Sequence, residues 1–403
     1  MKKRWLALSL LPLMLGACGG TPASSDADGS AFLYPNIHNS AVGSLSSSLV
    51  GRTALPALRS LEGPLREATG NFVVSPASYL LAVAGLSAVS DNFPNSAFGL
   101  QEDGGSDLSA LINAWNFKYV YDEPGRSQKY CSFLSAVAHQ QVGSTYAFDL
   151  NKRQSAVQDG VSTMVSSLDS YHDDASRFFN DKLGFSIPVP DPLMTADGVL
   201  TYGAFKMKDC VPGGLRTSNE QFLNKSVSSH SFGSIYYPEY LPYYKGENYQ
   251  AFRITIAYTD LFVVLPDEEV DIQQISLSNA LQEFKEGQLT VPAVGYVPYF
   301  HVRTERANLV SVLGSKLTGN EVFYSKLLAD GVPNNLSLSA VLQTSDFEFS
   351  RYGASGESIT VIAESGSPAP VEHEVVRLEV NRPFYAISSK DGFPLFANKI
   401  MTL

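Results

Sequence analysis

A nucleophilic serine is the first chemistry this sequence invites. Ser355 lies in Gly353-Ala354-Ser355-Gly356-Glu357, which approaches the Gly-x-Ser-x-Gly elbow of acyl-transfer enzymes. Glutamate stands where the last glycine is required, so the pattern fails. There is no Ser-x-x-Lys, no His-Glu-x-x-His and no phosphate-binding glycine loop. The six histidines, His38, His139, His172, His230, His301 and His373, are scattered, with no two at metal-ligand spacing. Scattered histidines belong to the surface or the core. The chain reads as a non-enzyme, and neither metal nor cofactor is expected.

The same stretch carries a different pattern. Ala354, Gly356, Ser358 and Thr360 fall on one face of an extended strand, and all four are small. Ser355, Glu357, Ile359 and Val361 fall on the other face. A strand with one face kept small is built to lie against something close. Yet it runs into "ESGSPAPVEH", a glycine-, serine- and proline-rich segment that reads as an exposed, protease-sensitive loop.

The elements around it must be read from punctuation and periodicity. Residues 72–74 make a short buried strand. Ser75 is placed to cap the next helix, with Pro76 at its first position. Leu80, Leu81, Val83, Ala84 and Leu86 give a helix buried nearly all round. Phe252, Ile254, Ile256 and Tyr258 alternate as in a half-buried strand, and "LFVVL" is a buried strand ending at Pro266. A helix is expected over 272–284, and another over 307–313 with Gly314 as its cap. Residues 336–350 read as one long strand, and 375–380, 384–388 and 395–400 as three closing strands. Helices mostly precede strands, an α+β pattern.

The chain has 403 residues, 44% of them hydrophobic, enough for a sizeable core. Its net charge is −11, so an acidic surface disfavours nucleic acid as a partner. Residues 1–17 hold a basic start and a short apolar run, a secretory signal and not a membrane span. Leu15-Gly16-Ala17-Cys18 resembles the lipobox of bacterial lipoproteins, which implies cleavage before Cys18 and lipidation of its thiol; the alternative is an ordinary signal with an incidental cysteine. Gly19 is not an inner-membrane retention residue, so the implied place is the outer membrane, periplasmic or surface-exposed. The membrane is then touched through the lipid anchor only. Residues 18–32 read as a flexible tether and 33–403 as the folded domain. Cys131 and Cys210 are left either as a disulfide or as two buried thiols.

Several stretches, in order, resemble the serpin family. "NFVVSPASYLLAVAGL" is similar to its Asn-x-x-x-Ser-Pro-x-Ser signature, through Asn71, Ser75, Pro76 and Ser78. "LFVVLPDEE", "VPYFHVRTERANLVSVLG" and "NRPFYAISSKDGFPLFANKI" resemble three later serpin segments, so the likeness spans residues 71–400. It implies helices packed on three β-sheets, an exposed reactive-centre loop over about 353–374, and a monomer whose partner is a serine or cysteine endopeptidase. In serpins the protease attacks this loop, and the cleaved loop enters the main sheet as a strand, trapping the protease. Gly353 aligns with the hinge glycine, so Ala354, Gly356, Ser358 and Thr360 would face the core on insertion, and Glu357 and Ile359 away from it.

Counting from the hinge puts the attacked bond at Ser367-Pro368, and counting back from Asn381 puts it at Glu372-His373. The bait window is therefore Ala363, Glu364, Ser365, Gly366, Ser367 and Pro368, through to Glu372 and His373. The family's shutter maps to Ser75, Ser78, Thr201 and Gln343. Thr201 replaces an asparagine and Gln343 a histidine, so two polar partners of the serines are substituted. The hinge is also not the usual alanine-rich run. A non-inhibitory, serpin-fold surface binding protein is the alternative to an inhibitor.

Overall fold

Apolar residues at every turn leave helix Pro76–Val89 no wet face, and it is the axis of the molecule. Two large sheets enclose it. The computed structural model describes residues 24–25, 32–34, 43–103, 105–121, 129–211, 214–317, 321–333, 335–357 and 374–403. Among them a nine-stranded sheet runs, in order, through Ser24–Ser25, Phe32–Tyr34, Val161–Ser166, Lys129–Val142, Gly198–Cys210, Gly353–Glu357, Leu342–Ser350 and Phe300–Asn308. Phe117–Tyr121 pairs with Lys129–Val142 off this path. The second described sheet has ten strands, with Phe393–Ile400 and Asp260–Pro266 buried along their whole length and Phe384–Lys390 buried except at Ser389.

Close approach of the helix to the first sheet is set by glycine. A Cβ on Gly203 would lie 2.3 Å from the Ala82 nitrogen and 2.6 Å from the Ser78 carbonyl oxygen. A Cβ on Gly85 would lie 2.5 Å from Val137 Cγ1. The layer between the sheets is aromatic: the Phe347 and Phe396 rings pack tilted with centroids 5.1 Å apart, with Phe205 beside Phe396 at 6.3 Å. Truncating a buried phenylalanine of this kind to alanine costs about 3–5 kcal/mol.

Several expected elements shift. The 272–284 helix splits into a 3-10 turn, Ile272–Gln274, and helix Leu277–Gly287, because Ser276 Oγ accepts from the Asn279 N–H at 3.3 Å and restarts the helix. Ala307 belongs to strand Phe300–Asn308, which bulges between Thr304 and Ala307 with Arg306 at φ 54°. The helix after it is Val310–Gly314, with Gly314 inside it and Ser315 as the cap. The 336–350 strand is broken: Asn335–Ser337 pairs with Glu321–Phe323, and only Leu342–Ser350 enters the large sheet. Part of the expected tether is also structured, since Ser24–Ser25 pairs with Tyr34 and Leu33, and Phe32 lies within the fold. The described strands form three sheets, as expected, two of them large and the third a two-stranded ribbon. Strand Leu289–Pro298 fuses the remainder, pairing with Glu239–Lys245 along its first half and with Lys225–Phe232 along its second.

Candidate functional site

The small-faced stretch is already a strand. Ser350 and Gly353 pair across the two-residue turn Arg351-Tyr352, and Gly353–Glu357 lies antiparallel to both Leu342–Ser350 and Gly198–Cys210. Those two neighbours are thus parallel to each other, and the hinge strand separates them. Gly353 has φ +122°, and a Cβ there would lie 2.0 Å from the Asp209 carbonyl oxygen, so no other residue fits this corner. Ala354 and Gly356 face inward and are buried. A Cβ on Gly356 would meet Phe396 Cζ at 2.7 Å and Phe347 Cδ2 at 3.0 Å. Gly353–Glu357, expected as the start of an exposed loop, is therefore a strand within the sheet, because its inner face is small enough to fit against these two rings.

The outer face is not the indifferent surface expected of it. Lys206 Nζ pairs with Glu357 Oε1 at 2.6 Å, and the Ser186 N–H donates to Glu357 Oε2 at 2.6 Å. Lys206 also donates to the Gly184 carbonyl and lies 5.9 Å from the Phe185 ring centroid. Glu357 thus clips the hinge strand to the 184–186 segment.

Of the residues aligned with the expected shutter, Gln343 and Ser75 bond directly to each other. Gln343 Oε1 accepts from the Ser75 N–H at 2.8 Å, and Gln343 Nε2 donates to the Ser75 carbonyl at 2.9 Å. Ser75 Oγ, expected to cap the helix, donates instead to the Leu395 carbonyl at 3.0 Å. Ser78 Oγ donates weakly to the Gly203 carbonyl at 3.5 Å. Thr201 touches neither serine: its Oγ1 is 2.8 Å from His139 Nδ1 and 2.9 Å from the Tyr324 hydroxyl. Burial holds the His139 pKa down to about 4, so the ring is neutral at ordinary pH.

Below Glu357 the two parallel strands stay apart. A cavity of about 490 Å³ lies between them, lined by Ser78, Thr201, Tyr202 and Gly203 on one side and Gln343 and Thr344 on the other. It continues the line of the hinge strand, and among the described residues no strand lies between its walls. Unpaired backbone groups at a strand edge are a template for another strand.

Ser78, Thr201 and Gln343 line the cavity, Ser75 is held by Gln343, and Gly353, Ala354 and Gly356 lie along the strand above it. Ser358, Thr360, the 363–373 window and Cys18 lie outside the described residues. Sequence reasoning missed His139, Tyr324 and the Lys206–Glu357 clip. Only His139 left a signal, as an ionisable residue directly after the small run "SAVA". Cys131 and Cys210 are buried thiols and not a disulfide, and the Cys210 N–H donates to Cys131 Sγ at 3.0 Å. Among the described residues no three His, Cys, Asp or Glu side chains are grouped to hold a metal ion. No described helix is long and apolar enough to cross a membrane.

Neither a protein-family model nor a curated protein sequence matches the chain. Solved structures do. The latent state of tengpin, a thermophilic serpin, superposes with a TM-score of 0.65 at 15% identity, over 90% of this chain and 100% of that one. Human thyroxine-binding globulin complexed with thyroxine gives 0.63 at 14%, over 88% and 98%. Serpin48 of the insect Tenebrio molitor, described as highly specific, gives 0.62 at 16%, over 87% and 98%. The chain has the serpin fold, helices packed on large β-sheets.

Proposed function

We propose that this chain is a serpin-type suicide inhibitor of serine or cysteine endopeptidases. The observation that carries the reading is the hinge strand itself, seated between Gly198–Cys210 and Leu342–Ser350 with an open slot in line below it. Continuing its register would set Ser358 between Phe205 and Ser345, and Thr360 between Gly203 and Gln343. The inner face would remain small where the helix approaches closest. Cleavage in the 363–373 window frees the strand to move down the slot, and each new backbone pair contributes about 0.5–1.5 kcal/mol net. A protease still attached as an acyl-enzyme is carried with it and distorted before water completes hydrolysis. The intact chain is kinetically trapped short of that state.

Incubation with serine endopeptidases of trypsin, chymotrypsin, elastase and subtilisin type tests this. An SDS-resistant complex with one of them is expected; clean turnover by all of them contradicts it. A second reading, a non-inhibitory binding protein, draws on the slot's partly apolar walls, which include Phe179, Ile187, Tyr202 and Leu313. Thyroxine-binding globulin shows that the fold is compatible with small-molecule binding.

We further propose attachment to a bacterial outer membrane through acylated Cys18. Palmitate labelling that Cys18→Ala abolishes supports this; equal labelling of both proteins refutes it.

A further inference from the structure

Turn tips are usually polar, but residues 234–237 read Ser-Ile-Tyr-Tyr. Ile235 is 62% exposed, Tyr236 88% and Tyr237 83%, and Tyr240 on the following strand is 53% exposed. This is not a loose loop. Ser234 and Tyr237 exchange both backbone hydrogen bonds, at 2.9 and 3.0 Å, and Ser234 Oγ accepts a further bond from the Tyr237 N–H at 3.1 Å. The base is pinned as well. Gly233 has φ +64°, and a Cβ there would lie 2.4 Å from the Ala293 carbonyl oxygen. Tyrosines held on a fixed turn contribute apolar area and a hydroxyl at little ordering cost, which is the composition of binding hot spots.

Its place in the fold supplies the partner. Strands Lys225–Phe232 and Glu239–Lys245 follow one edge of Leu289–Pro298 in succession, and residues 233–238 bulge out between them. Val376–Glu379 takes the opposite edge. Ala293 pairs with Glu239 on one side and Val376 on the other, so those two are about 10 Å apart, two strand spacings. Val376 follows closely on His373, the end of the bait window. A protein partner covers about 800 Å² on each side, a footprint of roughly 16 Å radius. A protease seated on the far end of the loop would therefore reach the turn. Charge narrows the partner further: residues 358–375 carry Glu364, Glu372 and Glu374 with no lysine or arginine, and exposed Glu239 stands at the turn's base.

We infer that the 234–237 turn is a second docking surface for the endopeptidase engaged on the reactive loop, and that this endopeptidase presents an apolar rim bearing lysine or arginine beside its cleft. The inference rests on the inhibitor reading above. Its test is the second-order rate of covalent complex formation for wild type and a Tyr236→Ser/Tyr237→Ser variant, at low and high salt. The probe is whichever endopeptidase of the four types wild type traps fastest. The variant is expected to be slower by about tenfold, with its melting temperature unchanged, and the wild-type rate is expected to fall with salt. A variant rate within about twofold of wild type overturns the docking surface while leaving the inhibitor reading intact. Absence of any covalent complex with wild type removes that reading, and the docking surface with it. Lost binding to phosphatidylglycerol vesicles at an unchanged rate would assign the turn to a lipid surface and likewise overturn the inference.

Discussion

Gly356 works by what it lacks. A branched side chain there would enter the Phe396 and Phe347 rings, so Gly356→Val should cost about 1–3 kcal/mol and displace the hinge strand. A lowered melting temperature with new proteolytic cuts in 353–357 is the expected result; unchanged melting and cleavage would mean that the strand is not packed there. This inner face was legible in the sequence because side-chain direction in a strand has a period of two. Glu357 was not, because its partners Lys206 and Ser186 are distant in sequence and meet it only through the sheet. Nor was Gln343, whose amide supplies both a donor and an acceptor to the Ser75 backbone in place of the expected histidine. His139 gives a pH test. Its folded pKa of about 4 lies below the unfolded value near 6.5. Its stabilising contribution is thus full above pH 6.5 and lost as pH falls towards 4, a change of about 3 kcal/mol. Urea midpoints between pH 7 and 4 should fall steeply for wild type and less for His139→Gln. The burial of His230, which also lowers its pKa, leaves some slope in the variant. Identical slopes would contradict the assignment.

Among the elements, the hinge strand and the slot below it make opposite demands on neighbouring positions. Glu357→Arg would set a guanidinium against Lys206 and release the clip, so the strand should loosen before any cleavage. Ser358→Arg should leave the intact protein's melting unchanged but, if the strand advances, would drive an unpaired charge inward at several kcal/mol. Limited proteolysis should therefore expose 353–357 earlier in Glu357→Arg only, while Ser358→Arg should be cut as an ordinary substrate without covalent complex. Equal behaviour of the two variants would count against the register. The buried helix and the three closing strands were readable because apolar residues predominate in each and proline, serine or glycine stands at their ends. The break at 338–341 was not, because no strong turn signal interrupts that run. Its cause is tertiary: the chain there lines the slot instead of pairing across it.

For the whole molecule, the order and spacing of weak segments conveyed the fold better than any one of them. No segment specified that the hinge would be found inside the sheet. That depends on Phe396 and Phe347, residues far apart in the chain, leaving room for it. The central claim is that the seated strand is the first part of a longer one, held back only by the intact loop. The most direct measurement is the melting temperature of the chain before and after a single cut within residues 363–373. A sharp rise is expected for wild type, because the freed segment fills the slot between Gly198–Cys210 and Leu342–Ser350, and little or none for Ser358→Arg. A cleaved wild-type chain that melts no higher than the intact one would show that the slot does not receive the loop.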